Sequence, residues 1–164
     1  MRKIFVLGAS VALLTALSGC SLISNVLGGG PSNGEDDVFA LKVGDCFNQS
    51  SKEQTDEITS IPIVECDTLH DYEVYSAPLV DHDEFPGAEE ISDEADTLCI
   101  EDFEAFLGMS YDEAFNGYLY DYSTLYPTST SWKSGDREII CAIIATDDDG
   151  NLEQVTGSLK GAES

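Results

Sequence analysis

Apolar positions change period several times along this chain. From Ile4 to Leu17 they run almost unbroken, interrupted by Gly8, Ser10 and Thr15. Farther on, Leu41 to Phe47 predicts a short strand closed near Gly44-Asp45. Ile58 to Cys66 predicts another, which Pro62 assigns to an edge or a bulge. Asp71-Tyr72-Glu73-Val74-Tyr75 alternates, with Tyr72 and Val74 on one face and the two acids on the other. An acidic loop, Asp81 to Glu90, surrounds Pro86-Gly87. A helix is predicted from Ser92 as N-cap, with Asp93 and Glu94 in the first turn, where the helix dipole favours acids. Its apolar stripe is Ala95, Leu98, Cys99, Phe103 and Phe106, and Gly108 ends it.

Beyond the helix, Ser110-x-x-Glu113 reads as a capping box for a short helical turn, and the tyrosine-rich stretch from Tyr118 to Tyr126 as extended chain. Glu138 to Thr146 is a strongly apolar strand. Asp147-Asp148-Asp149-Gly150-Asn151 turns, and Leu152 to Leu159 returns as its hairpin partner. Taken in order, these elements predict an α+β fold: a small, mostly antiparallel sheet with one main helix packed on it.

The amino terminus fixes the expected compartment. Met1-Arg2-Lys3 is a basic start, and the apolar run after it is shorter than the roughly 20 residues that cross a bilayer. The run ends in Leu17-Ser18-Gly19-Cys20, which resembles a bacterial lipobox. That resemblance implies diacylglyceryl transfer to the Cys20 thiol and cleavage that leaves Cys20 first. Residues 1–19 are then the lipoprotein signal peptide. Residues 20–37 are the lipidated cysteine and a flexible linker with Gly28-Gly29-Gly30-Pro31 in it. Residues 38–162 form the folded domain. Two acyl chains are enough for stable anchoring in the lipid bilayer. Residues 21–37 span roughly 20–25 Å on average, which keeps the domain close to the extracytoplasmic face of the cell membrane.

Charge sharpens this picture. The chain carries 7 Lys+Arg against 32 Asp+Glu. Nucleic acid is excluded as a partner, because phosphate contacts need clustered bases. Arg2 and Lys3 leave with the signal, so 7 − 2 = 5 bases remain against 32 acids, a net charge of −27. Such a surface stays soluble and is repelled by anionic headgroups.

With Cys20 assigned to lipid, Cys46, Cys66, Cys99 and Cys141 remain, an even number in an exported setting. Four cysteines allow three connectivities. Cys46–Cys66 and Cys99–Cys141 are favoured: the first joins two early extended segments, the second ties the helix to the late strand. A metal site built from Cys66-x-x-x-His70 and other cysteines is the competing arrangement. It is set aside because no Cys-x-x-Cys unit is present.

Three motifs stand out along the chain. They are Val43-Gly44-Asp45-Cys46-Phe47, Cys66-x-x-x-His70-Asp71-x-Glu73-Val74 and Trp132-x-x-Gly135-Asp136-Arg137-x-x-x-Cys141. In this order, and closed by Thr156-Gly157-Ser158-Leu159, they resemble the septum-formation domain of actinobacterial secreted and membrane proteins. The resemblance covers residues 38–162. One departure is Leu69, where the family carries proline before the histidine, a change that bears on the turn around His70. The resemblance implies an envelope protein associated with septation or cell-wall processes, and it brings no enzymatic activity.

The candidate binding residues are His70, Trp132 and Arg137. His70 beside Asp71 and Glu73 invites an envelope-hydrolase reading, but no Gly-x-Ser-x-Gly is present, and a histidine beside a disulfide turn is expected to bond backbone. Trp132 is expected to cover one end of the core, with Arg137 paired to an acid. Asp147-x-Asp149-x-Asn151 begins like an EF-hand loop, yet Leu152 and Ser158 occupy the required Gly and Glu positions. No cofactor, catalytic residue or metal ligand is therefore assigned. The leading function is a non-catalytic lipoprotein module that meets cell-division or cell-wall proteins. The alternatives are a hydrolase using His70 and a small cation- or solute-binding lipoprotein.

Overall fold

A computed structural model of the chain describes residues 36–37, 40–49 and 60–162. The expected signal peptide, Cys20 and most of the expected linker lie outside the described residues, as do residues 50–59. The described strands are β1 (Asp36–Asp37), β2 (Cys46–Phe47), β3 (Ser60–Ile61), β4 (Ile63–Val64), β5 (Tyr72–Ser76), β6 (Tyr120–Leu125), β7 (Ile140–Thr146) and β8 (Leu152–Glu153). The helices are α1 (Ala88–Leu107), α2 (Tyr111–Glu113) and α3 (Ser129–Lys133), and α2 runs into a single π-helical turn, Ala114–Tyr118. No helix among the described residues is long and apolar enough to cross a membrane.

Every strand pairing is antiparallel. The main sheet has the order β4-β2-β5-β7-β6, and β8 pairs with β7. The expected strand from Ile58 to Cys66 is split at Pro62, which lacks a ladder donor. Ser60–Ile61 pairs with β1, whereas Ile63–Val64 becomes the sheet edge beside β2. The domain thus reaches back to Asp36–Asp37, two residues into the segment expected to be linker.

Both faces of the sheet are covered. Along β7, Cys141 and Ile143 face α1, while Ile140 and Ala142 join Leu41, Phe47, Ile61 and Val74 in a second apolar cluster. That accounts for the nearly continuous apolar run of β7, which a half-solvated strand would not show. It also buries Glu73, directly across the ladder from Ile143.

Helix α1 starts five residues before the position expected of it. Gly87, at φ 115°, is the N-cap and provides no side-chain cap bond, so Ser92 lies inside the helix. The earlier start brings Ile91 into the buried stripe with Ala95, Cys99, Phe103 and Leu107. Leu98 and Phe106 pack at its margin. Gly108 closes the helix at φ 96°, a left-handed conformation that glycine adopts at least cost. Ser110 caps α2 by accepting from the Glu113 N–H. The full reciprocal capping box lies at α3, where Thr128 and Ser131 bond each other's backbone.

Both disulfides form with the favoured connectivity. Cys46–Cys66 joins β2 to the turn after β4, and Cys99–Cys141 ties α1 to β7 through fully buried sulfurs.

Candidate functional site

The first polar centre lies where β5 begins. His70 is fully buried. Its backbone exchanges two hydrogen bonds with Val155, each 3.0 Å, which pins the loop after Cys66 against the chain beyond β8. The ring Nδ1 lies 2.9 Å from the Thr68 carbonyl oxygen. That oxygen only accepts, so Nδ1 carries the proton and donates, and Nε2 is left as an acceptor. Among the described residues Nε2 is buried and has no hydrogen-bond partner.

Asp71 and Glu73, expected on the face of the strand opposite Tyr72 and Val74, are both buried. The Asp71 carboxylate accepts from the Gln49 N–H at 2.7 Å. Glu73 holds the carboxy-terminal segment: one carboxylate oxygen accepts from the Ser158 hydroxyl at 2.6 Å, the other from the Leu159 N–H at 2.7 Å. A buried carboxylate is tolerable when its lone pairs are met in this way. A His70 ring nitrogen, a Glu73 carboxylate oxygen and Cys46 Sγ lie within 4.8 Å of one another. An open groove of about 610 Å³ passes this centre and is bordered by Cys66, Glu73, Asp102 and Lys160.

The second centre is the Trp132 motif. Trp132 is buried in α3. Arg137 lies over its ring, 3.5 Å from the centroid, with Phe85 against its edge and His82 nearby. The Arg137 guanidinium donates to the carbonyl oxygens of Trp132 and Asp136. Its partners among the described residues are therefore a ring face and backbone, in place of the expected acid. A planar guanidinium suits this stacking better than it suits a distant carboxylate. Arg137 also borders a shallow groove of about 570 Å³ with Leu79 and the Ser134–Glu138 loop. His70 borders neither groove, so the candidate residues belong to two separate centres.

His82 faces Glu94 across a 2.7 Å contact, and that bond holds its imidazolium above the ordinary histidine range. The Asp147 carboxylate accepts from the Asn151 backbone and side chain and from the Asp149 N–H, which lowers its pKa and assigns it to the turn. Tyr111 donates to Asp121, and burial together with that acid pushes its phenol up to about 12.

Glu73 is the residue that the sequence reading missed. Its signal was present in the uninterrupted apolar run of β7, because a strand buried on both faces leaves no open side for the acid paired with it.

What fold and contacts define is a disulfide-bridged α+β domain with a buried His and Glu at one centre and a clamped tryptophan at the other. The family model described as septum formation matches residues 43–164, and the chain belongs to that family. No curated protein and no solved structure matches it.

Proposed function

We propose that this chain is an extracytoplasmic lipoprotein, anchored in the cell membrane through acylated Cys20, whose domain is a non-catalytic module that contacts division or cell-wall proteins during septum formation. The family match over residues 43–164 carries this reading. The geometry of His70 favours a module over a hydrolase. A general base must come within roughly 2.6–3.2 Å of the proton it takes. His70 instead spends one nitrogen on backbone and buries the other. Leu79, 72% exposed at the lip of the groove beside Arg137, offers apolar surface for contact. With 32 acids on the chain, the partner's facing surface is expected to be basic.

Photo-crosslinking in growing cells from position 79, combined with fluorescence localisation, tests the reading. The expected result is enrichment at division sites and an adduct with a division or wall protein. Uniform membrane staining with no such adduct overturns it. Metabolic palmitate labelling tests the anchor: Cys20→Ala is expected to lose the label and release the chain from the membrane.

A further inference from the structure

Three observations at the start of β5 converge. The His70 Nε2 lone pair is buried and unpartnered among the described residues, while Nδ1 is fixed by the Thr68 carbonyl. Cys46 Sγ, a His70 ring nitrogen and a Glu73 carboxylate oxygen come within 4.8 Å of one another, and all three residues are buried. Cys66, the disulfide partner of Cys46, borders the open groove together with Glu73. The bridge is therefore reachable from solvent on the side where the carboxylate lies.

We propose that the Cys46–Cys66 disulfide masks a Zn²⁺ site, which opens when a dithiol reduces the bridge and which is completed by Cys46, Cys66, His70 and Glu73. In the reduction, one thiolate of the dithiol attacks Cys66 Sγ. The Cys46–Cys66 bond breaks, a mixed disulfide forms, and Cys46 takes a proton. The second thiol then displaces Cys66, so the dithiol leaves as its disulfide and two cysteine thiols remain. Zn²⁺ binding releases their two protons, since the thiolate is the ligand.

The donor set selects the metal. Two sulfurs, one imidazole and one carboxylate fit a borderline-soft ion with no geometric demand of its own, whereas Ca²⁺ and Mg²⁺ require oxygen. The surroundings also fit. Metal-bound histidines donate their other N–H to a backbone carbonyl, as His70 does to Thr68, and ligating carboxylates are themselves hydrogen-bonded, as Glu73 is by Ser158 and Leu159. Tetrahedral ligation brings the donor atoms to roughly 3.5 Å from one another, so the freed side chains close a gap of about 1 Å. Cys99–Cys141 is fully buried and stays oxidised under the same treatment.

The experiment uses the full chain carrying Cys20→Ala, reduced with a water-soluble phosphine that does not hold metal, and titrated with Co²⁺ and then Zn²⁺. One equivalent of Co²⁺ is expected to bring in thiolate charge-transfer absorption and the intense visible bands of a tetrahedral site. Zn²⁺ should displace them, and the oxidised chain should show neither. Alkylation with mass mapping should find Cys46 and Cys66 free and Zn²⁺-protected, with Cys99–Cys141 intact. His70→Asn is expected to weaken Zn²⁺ binding by at least ~100-fold. Cys66→Ser, at the groove and outside the core, should lose roughly half of the charge-transfer intensity. Absence of the bands, affinity unchanged in both variants, or bands that follow Cys99 and Cys141 overturns the proposal. So does a reduced chain that unfolds and that Zn²⁺ does not refold.

Discussion

The guanidinium of Arg137 lies over the Trp132 ring, 3.5 Å from its centroid, and the same group donates to the carbonyl oxygen of Trp132 itself at 3.0 Å. One side chain thus holds both the ring and the backbone of the residue it covers. Arg137→Ala removes a cation–π contact worth roughly 0.5–2 kcal/mol and a hydrogen-bond donor worth about 1 kcal/mol more. The expected loss of about 1–3 kcal/mol lowers Tm by roughly 4–10 °C. Arg137→Lys restores the charge without the planar fork, so it should recover less than half. Chemical denaturation of the three proteins checks the order.

Much of this arrangement was legible in the sequence. The cysteine spacing, the stripe of α1 and the apolar run of β7 identified the disulfides and the helix-on-sheet core, because burial leaves a periodic trace. The start of α1 was not legible: Ser92 with two acids is a good cap, but Pro86-Gly87 already turns the chain, and burial of Ile91 rewards the longer helix. Arg137 was matched with an acid because charge is visible in sequence, whereas its contact with the Trp132 ring depends on how the Ser134–Glu138 segment folds back. The His70–Glu73–Cys46 grouping depends on register between β2 and β5, where Cys46 pairs with Glu73 across two strands of short length. Local patterns do not encode that register.

The His82–Glu94 contact predicts a pH dependence. The folded-state pKa of His82 is raised above its ordinary value near 6.5, chiefly by the hydrogen bond to Glu94. A raised pKa means that the stabilisation is fully present below the unfolded value and is lost as pH rises through the folded one. The loop over Trp132 should therefore loosen above neutral pH. Glu94→Gln should return the histidine titration, followed by NMR, toward 6.5 and flatten the stability profile. A His82 titration unmoved by this substitution would count against the pairing.

At the alkaline end, Tyr111 responds in the same sense. Burial and the bond to Asp121 push its phenol up to about 12, against about 10 in an unfolded chain. The folded state holds the proton longer, so stability falls as pH rises from about 10 to about 12. Ultraviolet titration should show fewer tyrosines ionising near pH 10 than in denaturant. Tyr75, buried with its hydroxyl on the Cys99 carbonyl oxygen at 2.7 Å, should be the last to ionise. Tyr75→Phe removes a second bond from a carbonyl that also accepts from the Phe103 N–H within α1, and should cost about 1 kcal/mol.

Glu73 ties the end of the domain to the middle of its sheet, and its removal gives the most local prediction. Its two oxygens accept from Ser158 and from the backbone of buried Leu159. Glu73→Ala strands that N–H in an apolar setting and should cost about 2–4 kcal/mol, since hydrogen bonds to a charged acceptor contribute about 1.5–3 kcal/mol each. Glu73→Gln should also destabilise, though by less, because one amide oxygen can serve one donor while the NH₂ faces the other. The signature is regional: amide hydrogen exchange should accelerate at Leu159 and at Val155, whose N–H bonds the His70 carbonyl. Exchange along β7 should follow only the global loss of stability. Uniform acceleration across the domain would assign Glu73 to the core as a whole, and unchanged exchange at Leu159 would show that the segment is held by its apolar contacts alone.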